Sequence, residues 1–278
     1  MITVLAGGVG AARFLRGLVL EVEPTKISVV VNTGDDTMMH GLNISPDLDT
    51  VTYTVANAID PERGWGLANE SWRVMESLAR YQDVKPDSST AAGTWFNLGD
   101  RDLATHFYRT ARIAEGATLS TVTQEIARAW GLAFTMMPMS DDQVATKVDI
   151  FENGVASTIS FQEYFVQRRH GVPVTGVEFV GATTAQPTFI NNLHTSEAII
   201  IAPSNPIVSL GPIRALNGVD ATLTFNRDRV VAISPIVAGS ALKGPADRML
   251  VELGHEASVV GVARIYAPIC STLVIDQQ

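Results

Sequence analysis

The sequence is poor in cysteine and in positive charge, and each shortage excludes a class of protein. Cys270 is the only cysteine among 278 residues, so neither an internal disulfide nor a metal site of several thiolates can form, which suits a reducing compartment. Only 20 lysines and arginines stand against 29 acidic residues. The net charge of −9 leaves no broad basic surface for nucleic acid or an anionic membrane. Local groups must therefore bind any anionic ligand.

Long apolar runs are also missing. The N-terminal sequence has no basic segment followed by a signal-like stretch, and its first apolar run is too short to cross a bilayer. We therefore expect a cytoplasmic protein with no membrane partner. The hydrophobic content of 46% is enough for a substantial core.

Hydrophobic patterning predicts an α/β fold with a parallel sheet, because strand, helix and strand alternate over residues 2–6, 11–20 and 27–31. The middle of the chain has the pattern of an insertion that begins with helices and continues with short strands. We predict its helices over residues 69–80, 101–114 and 119–129, and its short strands near 133–137, 148–151 and 155–159. Apolar runs at 198–201, 230–233 and 273–275 are expected to complete the sheet.

A glycine turn joins the first strand to the first helix in the segment AGGVGAARFL. Arg13 stands where a dinucleotide fingerprint has its third glycine, and the second strand ends in Asn32 with no acid for a ribose, so a nicotinamide cofactor is disfavoured. A P-loop is excluded because no GK[ST] follows. Two interpretations remain open: a backbone cradle for phosphate at the helix start, or a plain connection.

Acidic residues follow the second strand in VVVNTGDD, at the sheet edge where ligands of α/β proteins bind, although a solvated turn is the alternative. In NISPDLDT, Ser45 is predicted to cap a helix, and Asp47 to complement its dipole. Asp49 lies roughly 200° around the helix from Asp47, so the two must face different ways. If Asp49 faces the glycine turn, it can hold a divalent cation or orient an attacking hydroxyl.

The segment LGDRDLATH begins another predicted helix. Arg101 can grip a phosphate or form an ion pair with the neighbouring Asp100 and Asp102 at the helix end. Asp102 and His106 are one helical turn apart, which also suits a surface pair.

Taken together, these segments resemble the 2-phospho-L-lactate transferase family of coenzyme F420 biosynthesis. The motifs AGGVGAARFL, VVNTGDD, NISPDLDT, LGDRDLATH, MPMSDD, APSNPIVSLGPI and SPIVAGSALKGPA occur in order over nearly the whole chain. The resemblance implies one α/β domain, with a Rossmann-like core of about residues 1–60 and 195–278 and a largely helical insertion of about 61–194. It further implies a magnesium-dependent enzyme, expected to be a homodimer. This enzyme moves a 2-phospholactyl or enolpyruvyl-2-phosphate group from a guanylylated donor to the deazaflavin alcohol FO and releases GMP.

The resemblance also implies roles for individual residues. Asp49 is the predicted catalytic residue, placed near FO and Mg²⁺, and Asp36 is the second predicted metal ligand. The predicted substrate-binding residues are Gly7, Gly8, Gly10, Asn32, Asp49, Asn97, Arg101, Ser204 and Asn205. Asn97 stands where a basic residue is expected, so a contact to FO there would be a neutral hydrogen bond.

A non-catalytic regulator that binds a nucleotide or nucleotide sugar is the alternative, because distantly similar proteins share the glycine turn and the Asp-Asp segment. The SPDLDT segment favours the transferase. No motif specifies which three-carbon acid the donor carries.

Overall fold

The computed structural model describes residues 1–241 and 244–276. Its strands are β1 (Ile2–Ala6), β2 (Ile27–Val31), β3 (Thr37–Met39), β4 (Leu42–Ile44), β5 (Thr135–Pro138), β6 (Ala145–Glu152), β7 (Val155–Ser160), β8 (Val174–Val180), β9 (Ala198–Ile201), β10 (Val230–Ile233), β11 (Ile236–Val237), β12 (Ser240–Ala241) and β13 (Thr272–Val274). Its α-helices are α1 (Gly8–Glu21), α2 (Pro46–Val55), α3 (Arg73–Ala79), α4 (Asp102–Ala114), α5 (Leu119–Ala129), α6 (Ile190–Thr195), α7 (Gly211–Ala215), α8 (Val219–Phe225), α9 (Ala246–Glu252) and α10 (Val259–Tyr266). Short 3₁₀ turns at Pro24–Lys26 and Arg227–Arg229 and a π-helical turn at Glu163–Gln167 complete the set.

A six-stranded sheet forms the centre of the molecule, in the order β13-β10-β9-β1-β2-β5. All neighbouring pairs in this sheet are parallel. The chain leaves β1 in one direction for β2 and β5, and then returns to the other side of β1 for β9, β10 and β13. This is the Rossmann order, and its switch point lies between β1 and β9, where the carboxyl ends of the strands form a crevice.

Helices cover both faces of the sheet, so its strands are buried on both sides. Val4 of β1 packs in a core with Leu15 of α1 and Val51 of α2. Its neighbour Leu5 points to the opposite core, which includes Leu193 of α6 and further side chains of α7 and α8. Successive side chains of β1 point to opposite faces of the sheet, and both faces are buried. Apolar side chains therefore occur at consecutive positions of the strand, instead of at every second one.

A second, antiparallel sheet lies outside the central one, in the order β7-β6-β8. One face of it packs in a separate apolar cluster that includes Val148 of β6, Tyr164 of the π-helical turn and Met249 of α9. Two small hairpins, β3-β4 and β11-β12, border the carboxyl edge of the central sheet. None of the described helices has the length and apolar character needed to span a membrane.

The predicted parallel α/β architecture with a Rossmann-like core is confirmed. The bounds of β1, β2, β9, β10 and α5 agree with the sequence patterns. Helix α1 begins at Gly8 rather than at residue 11, so two of the glycines lie inside its first turn. The division into core and insertion stays a prediction, and β5, from the segment assigned to the insertion, is an edge strand of the central sheet.

Candidate active site

A cavity of about 1010 Å³ lies at the carboxyl ends of β1 and β9, on either side of the switch point. The loops that follow these strands line it through residues 7–10 and 203–205. Other parts of the wall come from α2, from α4 and from the turn after β7, and they include Asp47, Asp49, Asp102, His106, Phe161 and Phe165. This volume is at the upper end of the range for small-molecule sites.

The first turn of α1 is a cavity wall whose glycines are required by close packing. A Cβ atom on Gly10 would lie 2.0 Å from the carbonyl oxygen of Pro203, and one on Gly7 would lie 2.7 Å from the Cβ of Ser209. The Gly7 N–H donates a hydrogen bond to the Ser204 Oγ at 3.2 Å. These glycines therefore allow the helix start to approach the loop after β9.

Asp47 lies against this glycine turn. Its carboxylate accepts hydrogen bonds from the backbone N–H of Gly8 and, at 3.0 Å, from the Nδ2 of Asn32. The same Asn32 amide donates to Asp35, while the Asn32 Oδ1 accepts from the Gly34 N–H at 2.9 Å. Asn32 is fully buried. Its side chain therefore positions two carboxylates of the cavity wall from behind the cavity surface.

Asp35, Asp36 and Asp47 form a group that we name the uncompensated carboxylates, since no lysine or arginine within residues 1–241 and 244–276 forms an ion pair with them. Burial, together with repulsion from Asp47 and Asp36, raises the pKa of Asp35 well above the usual value. Burial also raises the pKa of Asp36 well above the usual value, although the hydrogen bond from Ser45 and the charge of Arg109 oppose it. Burial raises the pKa of Asp47 to about 6. The Asp36 Oδ1 is buried and accepts no hydrogen bond from the residues that the structure describes, whereas its Oδ2 accepts one from the Ser45 Oγ at 2.6 Å.

This group fits a divalent cation. Mg²⁺ prefers oxygen ligands and is usually held by one or two carboxylates together with substrate phosphates. Asp35 and Asp47 both line the cavity, next to a glycine turn, and their buried charge lacks a cationic partner among the described residues. A bound cation would favour the charged form of both carboxylates and so oppose the burial that raises their pKa values.

Asp49 and Asp102, which we name the compensated carboxylates, have ion-pair or hydrogen-bond partners around them. The Arg109 guanidinium donates to both oxygens of Asp49, with its Nη1 3.2 Å from Oδ2. His106 lies between the two acids, its Nδ1 3.7 Å from Asp49 and its Nε2 3.4 Å from Asp102. The Tyr53 hydroxyl donates to the Asp102 Oδ1 at 2.5 Å.

The partners of the compensated carboxylates stabilise the charged forms of these acids, and the acids stabilise the charge of Arg109. Burial raises the pKa of Asp102, but the nearby imidazole of His106 and the hydrogen bond from the Tyr53 hydroxyl outweigh burial and leave the pKa lowered. Burial likewise opposes the charge of Arg109, yet Asp49 overcomes it and raises the pKa of that guanidinium. One ligand atom each from Asp49, Asp102 and His106 lie within 4.8 Å of one another. The imidazole and the paired arginine make this set a poorer match for Mg²⁺ than an all-oxygen set.

Comparison with known proteins identifies the family. The model of the family 2-phospho-L-lactate transferase CofD matches residues 2–278. The chain belongs to this family. It is 41% identical to the phosphoenolpyruvate transferase of Nocardia farcinica over 280 residues, which cover 99% of this chain and 82% of the relative. It is 40% identical to the phosphoenolpyruvate transferase of Mycolicibacterium smegmatis over 288 residues, which cover 99% and 86% of the two chains.

A solved structure shares the fold. A member of the UPF0052 family from Bacillus halodurans aligns with a TM-score of 0.61 over 100% of this chain and 80% of its own, at 14% identity. The family match and the curated relatives show that the chain is a transferase of coenzyme F420 biosynthesis.

The cavity brings together most of the site residues predicted from the sequence, while their ligand contacts stay predictions. Those that line it are Gly7, Gly8, Gly10, Asp49, Asn97, Ser204 and Asn205. Asn32 and Asp36 lie behind its surface, and Arg101 lies outside it. The Asn205 Oδ1 accepts the Ile207 N–H at 2.9 Å, which shapes the loop after β9.

Arg101 is exposed at the start of α4, and within the described residues it forms no ion pair with Asp100 or Asp102, while its contact with a phosphate stays a prediction. Its Nη1 donates to the carbonyl oxygen of Ala68 at 2.7 Å, and its backbone N–H donates to Glu70 at 2.9 Å. Asp100, one of its expected partners, instead accepts from the Arg73 N–H at 3.1 Å near the start of α3. Arg101 therefore connects loops outside the cavity.

Two local expectations for α2 differ from the structure: the side-chain cap by Ser45, and the idea that Asp49 faces the glycine turn. Ser45 occupies the N-cap position of α2, as predicted, but its side chain does not cap the helix, because its hydroxyl donates to Asp36 instead. Asp47 and Asp49 do face different elements, as their spacing predicts. However, Asp47 contacts the glycine turn while Asp49 faces α4.

The sequence analysis assigned no role to Arg109 or Tyr53. For His106 it left open a place in a surface pair with Asp102. His106 is 1% exposed. A helical signal was available, because Asp102, His106 and Arg109 are spaced by four and three residues and therefore share one face of α4. Tyr53 likewise follows Asp49 by one turn of α2.

Proposed function

We propose that this transferase moves a 2-phospholactyl or enolpyruvyl-2-phosphate group from its guanosine diphosphate-linked form to the terminal hydroxyl of FO, with release of GMP. One observation carries the proposal: the glycine turn of α1 and two of the uncompensated carboxylates, Asp35 and Asp47, share one cavity at the switch point of the sheet. Such a cavity suits a diphosphate bound with a divalent cation. The family match supports the choice of substrates.

The reaction replaces a phosphoanhydride bond of the donor by a phosphate ester bond to FO. The FO hydroxyl oxygen bonds to the phosphorus that carries the three-carbon acid, the bond from that phosphorus to the bridging oxygen breaks, and GMP leaves with the bond's electrons. The hydroxyl proton is lost to a nearby base or to water. Positioning and charge stabilisation supply most of the catalysis in such transfers, so no protein nucleophile is required.

Asp35 and Asp47 would hold the magnesium ion, which supplies positive charge for the diphosphate and the developing charge of the leaving group. We prefer them to the pair Asp36 and Asp49 predicted from the sequence. Asp36 does not line the cavity, and both oxygens of Asp49 already accept hydrogen bonds from Arg109.

Asp49 would accept a hydrogen bond from the FO hydroxyl. It lines the cavity, and its ion pair with Arg109 holds the carboxylate in one orientation. A carboxylate with free lone pairs can accept a further hydrogen bond, which would align the attacking oxygen. Asn97, exposed in the same cavity wall, would offer FO a neutral contact.

Incubation of the purified chain with FO, Mg²⁺ and each guanylylated three-carbon acid tests the proposal. We expect a more acidic deazaflavin and an equal amount of GMP, separated by anion-exchange chromatography, and no product in EDTA. Competing donors in one mixture would identify the preferred acid. The absence of product with every donor, combined with tight binding of a nucleotide sugar, would favour the regulator instead.

The family resemblance also supports a homodimer. Sedimentation equilibrium would give twice the mass of the chain if this proposal is correct and the mass of one chain if it is not.

A further inference from the structure

One wall of the cavity carries an arginine without an acidic partner. Arg169 lines the cavity, is exposed, and makes no ion pair or side-chain hydrogen bond with any residue in the described part of the chain. The adjacent Arg168 differs in both respects. It pairs with Glu152 and with Glu163, its Nη2 lying 3.4 Å from Glu163, and it is not a lining residue. Two neighbouring arginines thus have opposite environments.

The wall that carries Arg169 is fixed at both ends. At one end the Gln162 Nε2 donates to the backbone carbonyl of Asp35 at 3.1 Å, inside the protein. At the other end the Arg248 guanidinium of α9 donates to the carbonyl of His170 and, at 2.5 Å, to Glu252. The segment 161–170 is therefore attached directly to the loop of an uncompensated carboxylate.

Ring stacking and two residues with positive φ also hold the end of this wall in place. The ring of Phe165 stacks on Phe161 and on His170, each at 5.5 Å between centroids. Arg169 and His170 have φ values of +50° and +42°, in the left-handed region that residues with a side chain seldom adopt. Such conformations persist where the surroundings hold them, and they are common at ligand sites. The backbone of Arg169 is thus positioned before any ligand binds.

We propose that Arg169 binds an anionic group of the donor, either the carboxylate of its three-carbon acid or an oxygen of its diphosphate. This inference rests on the proposed function. Asp35 and Asp47 line the same cavity without a cationic ion-pair partner among the described residues, so an anionic donor needs a fixed positive group besides a metal ion. The planar guanidinium matches both carboxylate and phosphate oxygens.

Calorimetric titration in the presence of Mg²⁺ and without FO tests this assignment, since no transfer can then occur. Wild type, Arg169→Gln, Arg169→Lys and the matched control Arg168→Gln are each titrated with the guanylylated acid and with GDP. We expect Arg169→Gln to weaken donor binding by about 10- to 100-fold, as for the loss of a hydrogen bond to a charged group. Arg169→Lys should recover part of the loss, and Arg168→Gln should change the affinity less than about twofold.

The two ligands distinguish the two anions. A loss for the guanylylated acid alone assigns Arg169 to the carboxylate, and an equal loss for GDP assigns it to the diphosphate. The affinity for FO, measured by its fluorescence, and the Tm should stay unchanged, which a general disturbance of the wall would not allow. Unchanged affinity of Arg169→Gln for both ligands, with wild type binding normally, overturns the inference alone. Failure of wild type to bind either ligand overturns the proposed function and the inference with it.

Discussion

Asp47 and Asp49 are two residues apart on one helix and almost equally buried, yet their environments are opposite. Asp49 faces α4, where Arg109 neutralises it, and it belongs to the compensated carboxylates. Asp47 faces the glycine turn, where neutral N–H groups of Gly8 and Asn32 are its hydrogen-bond donors. The comparison teaches that burial alone does not mark a cation site. An ion-paired carboxylate has a fixed charge, whereas an unpaired one needs a cation or a proton.

Removal of the charge of Asp49 should have the largest effect. Asp49→Asn leaves the Arg109 guanidinium buried without its counter-ion, so we expect a loss of about 3–5 kcal/mol in the free energy of unfolding. We also expect turnover to fall at least about 100-fold, because the acceptor hydroxyl loses its orienting group. Urea unfolding and GMP release measure the two effects.

The double variant Asp49→Asn with Arg109→Met separates the two roles. The uncharged pair should recover most of the stability, since no unpaired charge remains buried, but turnover should stay low. Recovery of turnover along with stability would contradict a direct role for Asp49.

The contributions of the two carboxylate groups to the free energy of unfolding should change with pH in opposite directions. A carboxyl with a raised pKa in the folded state holds its proton more tightly there, so the folded state loses stability as pH rises from about 4 to about 6. For Asp47 in metal-free protein this loss is of the order of 3 kcal/mol. Asp102 has a lowered pKa, so its contribution is present above its unfolded pKa and is lost as pH falls.

Urea unfolding at several pH values measures this contrast as differences from the wild type. Asp47→Asn should gain stability relative to wild type as pH rises through 6, and Asp102→Asn should lose stability relative to wild type over the range in which Asp102 ionises. Equal slopes for the two variants would remove the distinction between the groups.

Magnesium should stabilise the protein through the uncompensated group. At a Mg²⁺ concentration of 100 times its Kd we expect about 2.7 kcal/mol of added stability, seen as a rise in Tm. The rise should vanish in Asp35→Asn combined with Asp47→Asn and persist in Asp102→Asn. A full response in the double variant would place the cation elsewhere.

The smallest effect is expected at Arg101. Its guanidinium donates to the Ala68 carbonyl outside the cavity, so Arg101→Ala should change KM for the donor less than about twofold and stability by less than about 1 kcal/mol. Steady-state kinetics provide the check. A tenfold rise in the KM for the donor would show that Arg101, and not only Arg109 and Arg169, contributes cationic charge to the site.

Much of the fold could be predicted because the central strands are short apolar runs between clear turn signals. Patterns at 2–6, 27–31, 198–201 and 230–233 coincide with β1, β2, β9 and β10. Residues of the glycine turn and of the loop after β9 could be assigned to one edge of the sheet, since parallel strands end together there. The capping expectation for Ser45 failed because a buried acceptor, Asp36, competes for its hydroxyl.

The sequence alone determined the α/β class, the parallel sheet, the glycine turn, the family and the opposite directions of Asp47 and Asp49, because these follow from local periodicity, spacing and motif order. Only the tertiary structure decided which aspartate meets the glycine turn and which is neutralised. The pairing of Asp49 with Arg109 spans 60 residues, and the hydrogen bond from Gln162 to Asp35 spans 127. The charge state of a buried carboxylate depends on such distant partners, and no local pattern records them.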